Sequence, residues 1–485
     1  MATSPVPSAL EASPLPALRL DRGSGLPLGA QLAAALRREA LGGRLRDGDR
    51  LPSTRALAVR LGVSRTVTAA AYEELQAEGW LHGRTGAGTF VAARPPLTGP
   101  DATDRTVTPV ATPPVPVAAP SAAAASRDAT LLDLSPGMPW VAGIDRSAWR
   151  RAWRRAADGP PAGRRELAGA ADYRRAVADT FLAHRGLPVV DPLAPDGVLA
   201  TAGTSAAVGE LATAVLRPGD RVAIEEPGYG RAVAWLRAAG VDVVHVPVDG
   251  QGLDPDAVPA DVRAVYCSPA HQFPLGARMP VARRVRLVER ARRHGWLLVE
   301  DDYDGELRFD VAPSPLLAAL ARDVVVHLGT TSKVLSPSLG CGWMVAPPAV
   351  AAQVLAHRAR TSTTPALAGQ LVLAEFARTG DLGRHLRRLR RELASRRALL
   401  VGELGRHGVA VPGIDAGAHV AVRLPDAAAE AAALAAGAAA GLRLDPLSRH
   451  YHGPRPGHGL AIGYAALERT ELATVIASLA VIMHG

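Results

Sequence analysis

The chain has 485 residues, 48% of them hydrophobic, with a net charge of +9 and a pI near 10.3. That length calls for two or three domains, and that composition supplies a large buried core. Two cysteines, Cys267 and Cys341, are too few for a metal-ligand spacing or a disulfide framework, so no metal is expected and a reducing cytoplasm is the default. The first twenty residues lack a basic start followed by an apolar run, and no stretch approaches the roughly 20 apolar residues of a membrane span.

In chain order, residues 1–17 are rich in Pro, Ala and Ser and read as a disordered tail. A first folded domain is expected over 18–94. Leu28 to Leu41 repeats its apolar residues with helical period and stops at Gly42-Gly43. Ser53 then caps a short helix from Thr54 to Leu61, Gly62 breaks it, and Ser64 caps a second helix from about Arg65 to Ala77. Two helices joined by a tight Gly-containing turn form a helix-turn-helix, whose second helix enters the major groove by its N-terminal residues. Here those are Ser64, Arg65, Thr66 and Thr68. Two short strands follow, 80–82 and 89–91, around a flexible basic tip from Gly83 to Gly88 that suits a wing.

This region resembles the DNA-binding domain of GntR-type regulators, through "LPSTRALA", "LGVSRTVTAAAYEELQAEGWL" and "GRTGAGTFV". The resemblance implies double-stranded DNA as partner, contacted by Arg55, Ser64, Arg65, Thr66 and the wing at Arg84 to Gly86. Residues 95–130, dense in Pro, Ala, Thr and Ser, bury too little to fold alone and read as a linker.

From 131 to 485 short apolar strands alternate with longer helical patterns, the mark of an α/β domain with a mainly parallel sheet. Four segments read as a buried strand ending in a polar cluster: RVAIEEPGYG, VRAVYCSPAHQFPLG, WLLVEDDYDGE and VVVHLGTTSK. Ligands of open α/β sheets sit at the carboxyl ends of strands, so the clusters converge on one pocket. Lys333 is the only lysine of the chain. Arginine has taken every other basic position, and arginine imitates lysine's charge but not its nucleophilic amine.

Around that amine the clusters supply what pyridoxal 5'-phosphate requires. Lys333 offers an internal aldimine. Asp301, chosen over Asp302, would keep the pyridine nitrogen protonated, and Tyr303 would donate to the ring oxygen. Tyr229 suits the ring face. Gly203, Thr204 and Ser205 precede a helix whose N-terminus would take the phosphate, with the Thr330 and Ser332 hydroxyls beside the lysine.

The large domain resembles fold-type I aminotransferases, and among them the MocR/GabR-type regulators. The motifs are "TAGTSAAVGEL", "EEPGYGRAVAWLRAAGVDVVHVPVDGQGLDP", "VYCSPAHQFPLG", "VEDDYDGELRF" and "GTTSKVLSP", in that order. The resemblance implies the roles just given, Arg231 near an effector, and a homodimer with each head over the partner's large domain. A C-terminal arginine for the effector's carboxylate is expected, with Arg449 preferred over Arg443. There is one departure: seven residues after the lysine, where the family carries a phosphate-gripping arginine, this chain has Gly340.

The expected protein is thus a small α+β winged helix-turn-helix joined to a large α/β aminotransferase-like domain. It would regulate transcription by sensing an amine, an amino acid or the cofactor itself. An active aminotransferase carrying a DNA-binding head stays open, since the same lysine would serve as its base.

Overall fold

The computed structural model describes residues 18–24, 26–77, 80–84, 87–92, 131–309, 315–453 and 457–483. The tail 1–17, the linker 95–130 and Gly86 lie outside these. The chain divides into two compact units, 1–113 and 114–485.

The first unit runs α1 (Leu28–Leu41), β1 (Arg50–Leu51), α2 (Thr54–Leu61), α3 (Arg65–Ala77), β2 (Leu81–Arg84) and β3 (Gly88–Val91). The helices keep their expected bounds. The wing strands gain a third member, because β1 pairs antiparallel with β3 opposite β2. Two residues are too short a run for alternation to be seen in sequence. Leu32, Leu36, Leu57, Tyr72 and Leu75 close the core from the helices, and Leu51, Leu81 and Val91 from the strands.

The second unit continues β4 (Leu132–Asp133), α4 (Arg146–Ala157), α5 (Ala171–Val177), β5 (Leu199–Thr201), α6 (Thr204–Ala214), β6 (Arg221–Glu226), α7 (Gly230–Ala238), β7 (Asp242–Asp249), β8 (Gly252–Leu253), β9 (Ala264–Cys267), α8 (Val281–His294), β10 (Leu297–Asp302), α9 (Leu317–Leu320), β11 (Val325–Thr330) and β12 (Gly342–Val345). It ends with α10 (Pro348–Thr361), α11 (Leu367–Arg378), α12 (Asp381–Arg406), β13 (His419–Arg423), α13 (Ala427–Ala439), β14 (Leu442–Arg443), β15 (Asp445–Pro446), β16 (Gly459–Gly463) and α14 (Arg469–Ile482).

Eight strands form one mixed sheet, in the order β5-β12-β11-β10-β9-β6-β7-β8. The central pairs from β7 to β11 are parallel, while β12 and β8 run against their neighbours. Successive residues of a strand serve opposite faces. Leu298 and Val325 join one apolar core, while Val299 and Val326 join another. Both faces are therefore covered, as a largely parallel sheet requires. A smaller sheet, β13-β16-β15, belongs to the C-terminal part, and β14 pairs with β4. No described helix is long and apolar enough to cross a membrane.

Candidate functional site

The parallel strands β6, β9, β10 and β11 end on the same side, and their carboxyl ends carry the polar clusters. From β11 the chain turns through Thr330, Thr331 and Ser332 to Lys333. The Thr330 hydroxyl donates to Ser332 Oγ (3.0 Å) and accepts from the Ser332 N–H (3.2 Å), which shapes that turn. Lys333 Nζ donates to the carbonyl of Gly137 (2.7 Å). Gly137 has φ +88°, and a Cβ there would lie 2.8 Å from Nζ. Burial pulls the Lys333 ammonium below its ordinary range. Asp304 and Asp301 oppose that shift and Arg231 adds to it.

The two adjacent carboxylates of β10 face different surroundings. Asp302 takes a bidentate pair from the buried Arg185 guanidinium, at 2.9 and 3.0 Å. Burial alone would raise its carboxyl, but Arg185 holds it below the usual range. Asp301 accepts from the Tyr266 hydroxyl through Oδ2, while its Oδ1 is buried with no hydrogen-bond partner among the described residues. Burial pushes this carboxyl up to about 7, against the Tyr266 bond, with Asp302 and Asp304 adding repulsion and Lys333 opposing. Beside it Glu225, at the end of β6, is pushed up to about 8 by burial. Its Oε2 accepts from the Ser268 N–H (3.1 Å), and its Oε1 also has no hydrogen-bond partner among the described residues.

Tyr229 follows β6, and its hydroxyl shares a 2.7 Å hydrogen bond with Ser205 in the first turn of α6. Gly203 caps that helix, and Thr204 is buried. A Cβ added at Gly203 would stand 3.6 Å from Thr330 Oγ1, so the α6 N-terminus and the lysine turn adjoin. Tyr303 places its hydroxyl 3.1 Å from His271 Nδ1, which is also 2.7 Å from Asp304 Oδ2. Arg231 is exposed in the first turn of α7, close enough to Tyr229 to lower its phenol against the upward push of burial. Arg449 lies elsewhere in its bonding: it is 52% exposed and pairs with Asp445 at 2.8 Å. Arg443 faces Asp133 at 3.6 Å.

An orphaned, buried carboxylate oxygen on Asp301, together with a nearby lysine of depressed basicity, fits a protonated pyridine nitrogen and an aldehyde. A helix N-terminus bearing Thr204 and Ser205 fits a phosphate. The residues present therefore suit pyridoxal phosphate. Sequence reasoning missed Tyr266, Glu225, His271 and Asp304. All four lie in the strand-end segments already singled out, but their partners are distant in sequence and no spacing rule pairs them.

In the first unit, Ser53 and Ser64 cap their helices by accepting from the N–H groups of Ala56 (3.2 Å) and Val67 (3.4 Å). Arg55, Ser64, Arg65 and Thr66 are exposed around the start of α3, and Arg84 is exposed on β2 over the Phe90 ring. Thr68 differs from its expected outward place. It is 0% exposed, and its hydroxyl donates to the carbonyls of Thr54 (2.8 Å) and Arg65 (2.9 Å). It fastens α2 to α3, because Thr68, two residues past the exposed Thr66, lies about half a turn round the helix, on the side toward α2. Arg22, unforeseen, donates to the Gly62 carbonyl (2.7 Å) and holds the turn.

Residues 143–452 match the family described as Aminotransferase class I and II, and residues 28–91 the Bacterial regulatory proteins, gntR family. Among curated proteins the chain is 34% identical to the probable rhizopine catabolism regulatory protein MocR of Rhizobium meliloti, covering 95% of both chains. It is also 34% identical to the HTH-type pyridoxine biosynthesis transcriptional regulator PdxR of Corynebacterium glutamicum, over 93% of this chain and 94% of that one. Among solved structures, a kynurenine aminotransferase of Pyrococcus horikoshii shares the fold with a TM-score of 0.65 at 23% identity, over 73% of this chain and 91% of its own. An alpha-aminoadipate aminotransferase of Thermus thermophilus does so with a TM-score of 0.64 at 26% identity, over 73% and 92%.

Proposed function

Because the chain belongs to the MocR-type HTH transcriptional regulators, a gntR-family head joined to an aminotransferase class I and II domain, we propose that it is a pyridoxal phosphate-dependent regulator of transcription. It binds double-stranded DNA through the head, works as a homodimer, and senses a small amine, an amino acid or the cofactor itself at Lys333. One observation carries this reading. The only lysine of the chain stands at a strand end beside Asp301, whose buried Oδ1 has no partner.

When bound, pyridoxal phosphate supplies an aldehyde carbon that a lysine or an incoming primary amine attacks. The residues around it divide the remaining work. Burial favours the neutral, nucleophilic amine of Lys333. Asp301 would accept from the protonated ring nitrogen, and Tyr303 would donate to the ring oxygen. Tyr229, which bonds Ser205, would support the ring. The α6 N-terminus, with Thr204, Ser205, Thr330 and Ser332, would hold the phosphate. Arg231 and Arg449 draw an effector's carboxylate. A signal shifts the protein between states only by binding one of them better, so freeing Lys333 must change contacts that differ between them.

Hydride reduction of cofactor-saturated protein, followed by intact mass, tests the reading. A cofactor adduct is expected on the native chain and none on Lys333→Ala, which also loses its response to effector. A native chain without an adduct, or a Lys333→Ala variant that still switches, overturns it. Retention of both the lysine and Asp301 favours a second reading, an aminotransferase with a DNA-binding head. Half-reaction turnover with a panel of amino donors separates the two.

A further inference from the structure

The positive charge of this chain is gathered in one place on the second unit. Helix α4 carries five arginines and no acidic residue. Helix α12 carries eight arginines against three acidic residues. The two helices together carry +10, so the rest of the chain sums to −1, with +4 in residues 1–94 and −5 elsewhere.

The arrangement is helical as well as compositional. Arg384, Arg387, Arg388 and Arg391 fall at i, i+3, i+4 and i+7, which is a single helix face, and all four are exposed. At 1.5 Å rise per residue they cover about 10 Å of that face. On α4, Arg146, Arg150 and Arg154 recur every fourth residue and are exposed too, over about 12 Å. Asp381, at the start of α12, links the two helices beside these stripes. It accepts from Arg151 of α4 (3.2 Å) and from Arg384 of α12 (2.7 Å). Both helices also pack on α11, which Trp149 of α4 meets at Phe376.

On α8, Arg283, Arg286 and Arg292 each face an aspartate, Asp249, Asp256 and Asp323. By contrast Arg146, Arg150, Arg154, Arg387 and Arg391 have no ion pair or hydrogen bond among the described residues. Like charges held side by side without counter-charges repel, and such an array persists at a cost that a polyanion removes.

We propose that the α4–α12 face is a second DNA-binding surface, one that takes the phosphate backbone of a duplex without reading its sequence. This rests on the DNA-binding reading of the head. Guanidinium groups are suited to it, since each offers phosphate a planar fork of donors. Binding releases condensed counterions, so each phosphate neutralised steepens the salt dependence of affinity by about 0.9 in log–log slope.

The test uses the full-length protein and a 60-base-pair duplex of mixed sequence. One variant carries Arg150→Gln, Arg154→Gln, Arg387→Gln and Arg391→Gln, changes that keep helix propensity. A control removes equal charge elsewhere through Arg217→Gln, Arg278→Gln, Arg293→Gln and Arg360→Gln. A third variant, Arg65→Ala, weakens the head. The α4–α12 variant is expected to lower the salt slope by about 3 to 4, with the control lowering it by less than about 1. Equal slopes for native and α4–α12 variant, or equal losses from the variant and the control, overturn the surface. A change in oligomeric state with unchanged slope also overturns it, in favour of a contact between copies. If the native protein itself fails to bind the duplex, or Arg65→Ala changes nothing, the reading of the head fails instead.

Discussion

The Tyr266 hydroxyl donates to Oδ2 of Asp301 and leaves Oδ1 of the same carboxylate buried without a partner. A satisfied aspartate would have no use for a further donor. This one is half-satisfied, and its neighbours Asp302 and Asp304 add negative charge around it while Lys333 offsets them.

The consequence for stability has a definite sign. Asp301 is raised to about 7 and Glu225 to about 8 in the folded protein, against about 4 in an unfolded chain. The folded state therefore holds more protons than the unfolded one between those values, and stability falls as pH rises. The melting temperature of cofactor-free protein should drop from pH 5 to about pH 8 and then level. Saturation with pyridoxal phosphate should flatten the drop, and Asp301→Asn should shrink it in the cofactor-free protein. A melting temperature that climbs over this interval contradicts the assignment.

Asp302 should behave in the opposite way to its neighbour. Its carboxylate balances the buried Arg185, and removing one partner of a buried pair costs about 3 to 5 kcal/mol. Asp302→Asn should lose stability on that scale by denaturant titration. Asp301→Asn should keep its fold at neutral pH and lose cofactor affinity instead. Equal destabilisation by both changes would remove the distinction.

Gly340 stands where the resemblance to the aminotransferase-like regulators leads to the expectation of a phosphate-gripping arginine. It sits at φ +57°, and a Cβ there meets nothing within 4 Å. Gly340→Arg thus has room, at a backbone cost of about 1 kcal/mol. A charge-assisted bond to the phosphate contributes about 1.5 to 3 kcal/mol. Cofactor affinity measured by equilibrium titration should rise about tenfold. Unchanged affinity would mean that the phosphate lies away from this turn.

In the head, Thr68 and Arg65 should separate fold from function. Thr68→Val removes the hydroxyl that bonds the Thr54 and Arg65 carbonyls, and should cost about 0.5 to 1.5 kcal/mol of stability. Arg65→Ala, on an exposed position, should leave the melting temperature within about 1 °C and weaken DNA binding at least tenfold. Native-like stability in Thr68→Val would refute the fastening role.

The sequence by itself determined the helices of the head, the strand-end clusters and the one amine available for chemistry. Each of these is written locally: in a period of apolar residues, in caps such as Ser53 and Ser64, or in the absence of any lysine but Lys333. Only the tertiary structure decided which of two adjacent aspartates is engaged by Arg185, and that Thr68 faces inward. It also set His271 against Asp304, and linked α4 to α12 through Asp381. Those outcomes depend on groups tens to hundreds of residues apart. Short-range patterns fix which way a side chain leaves its own backbone, but burial and charge are set by whatever the fold brings against it.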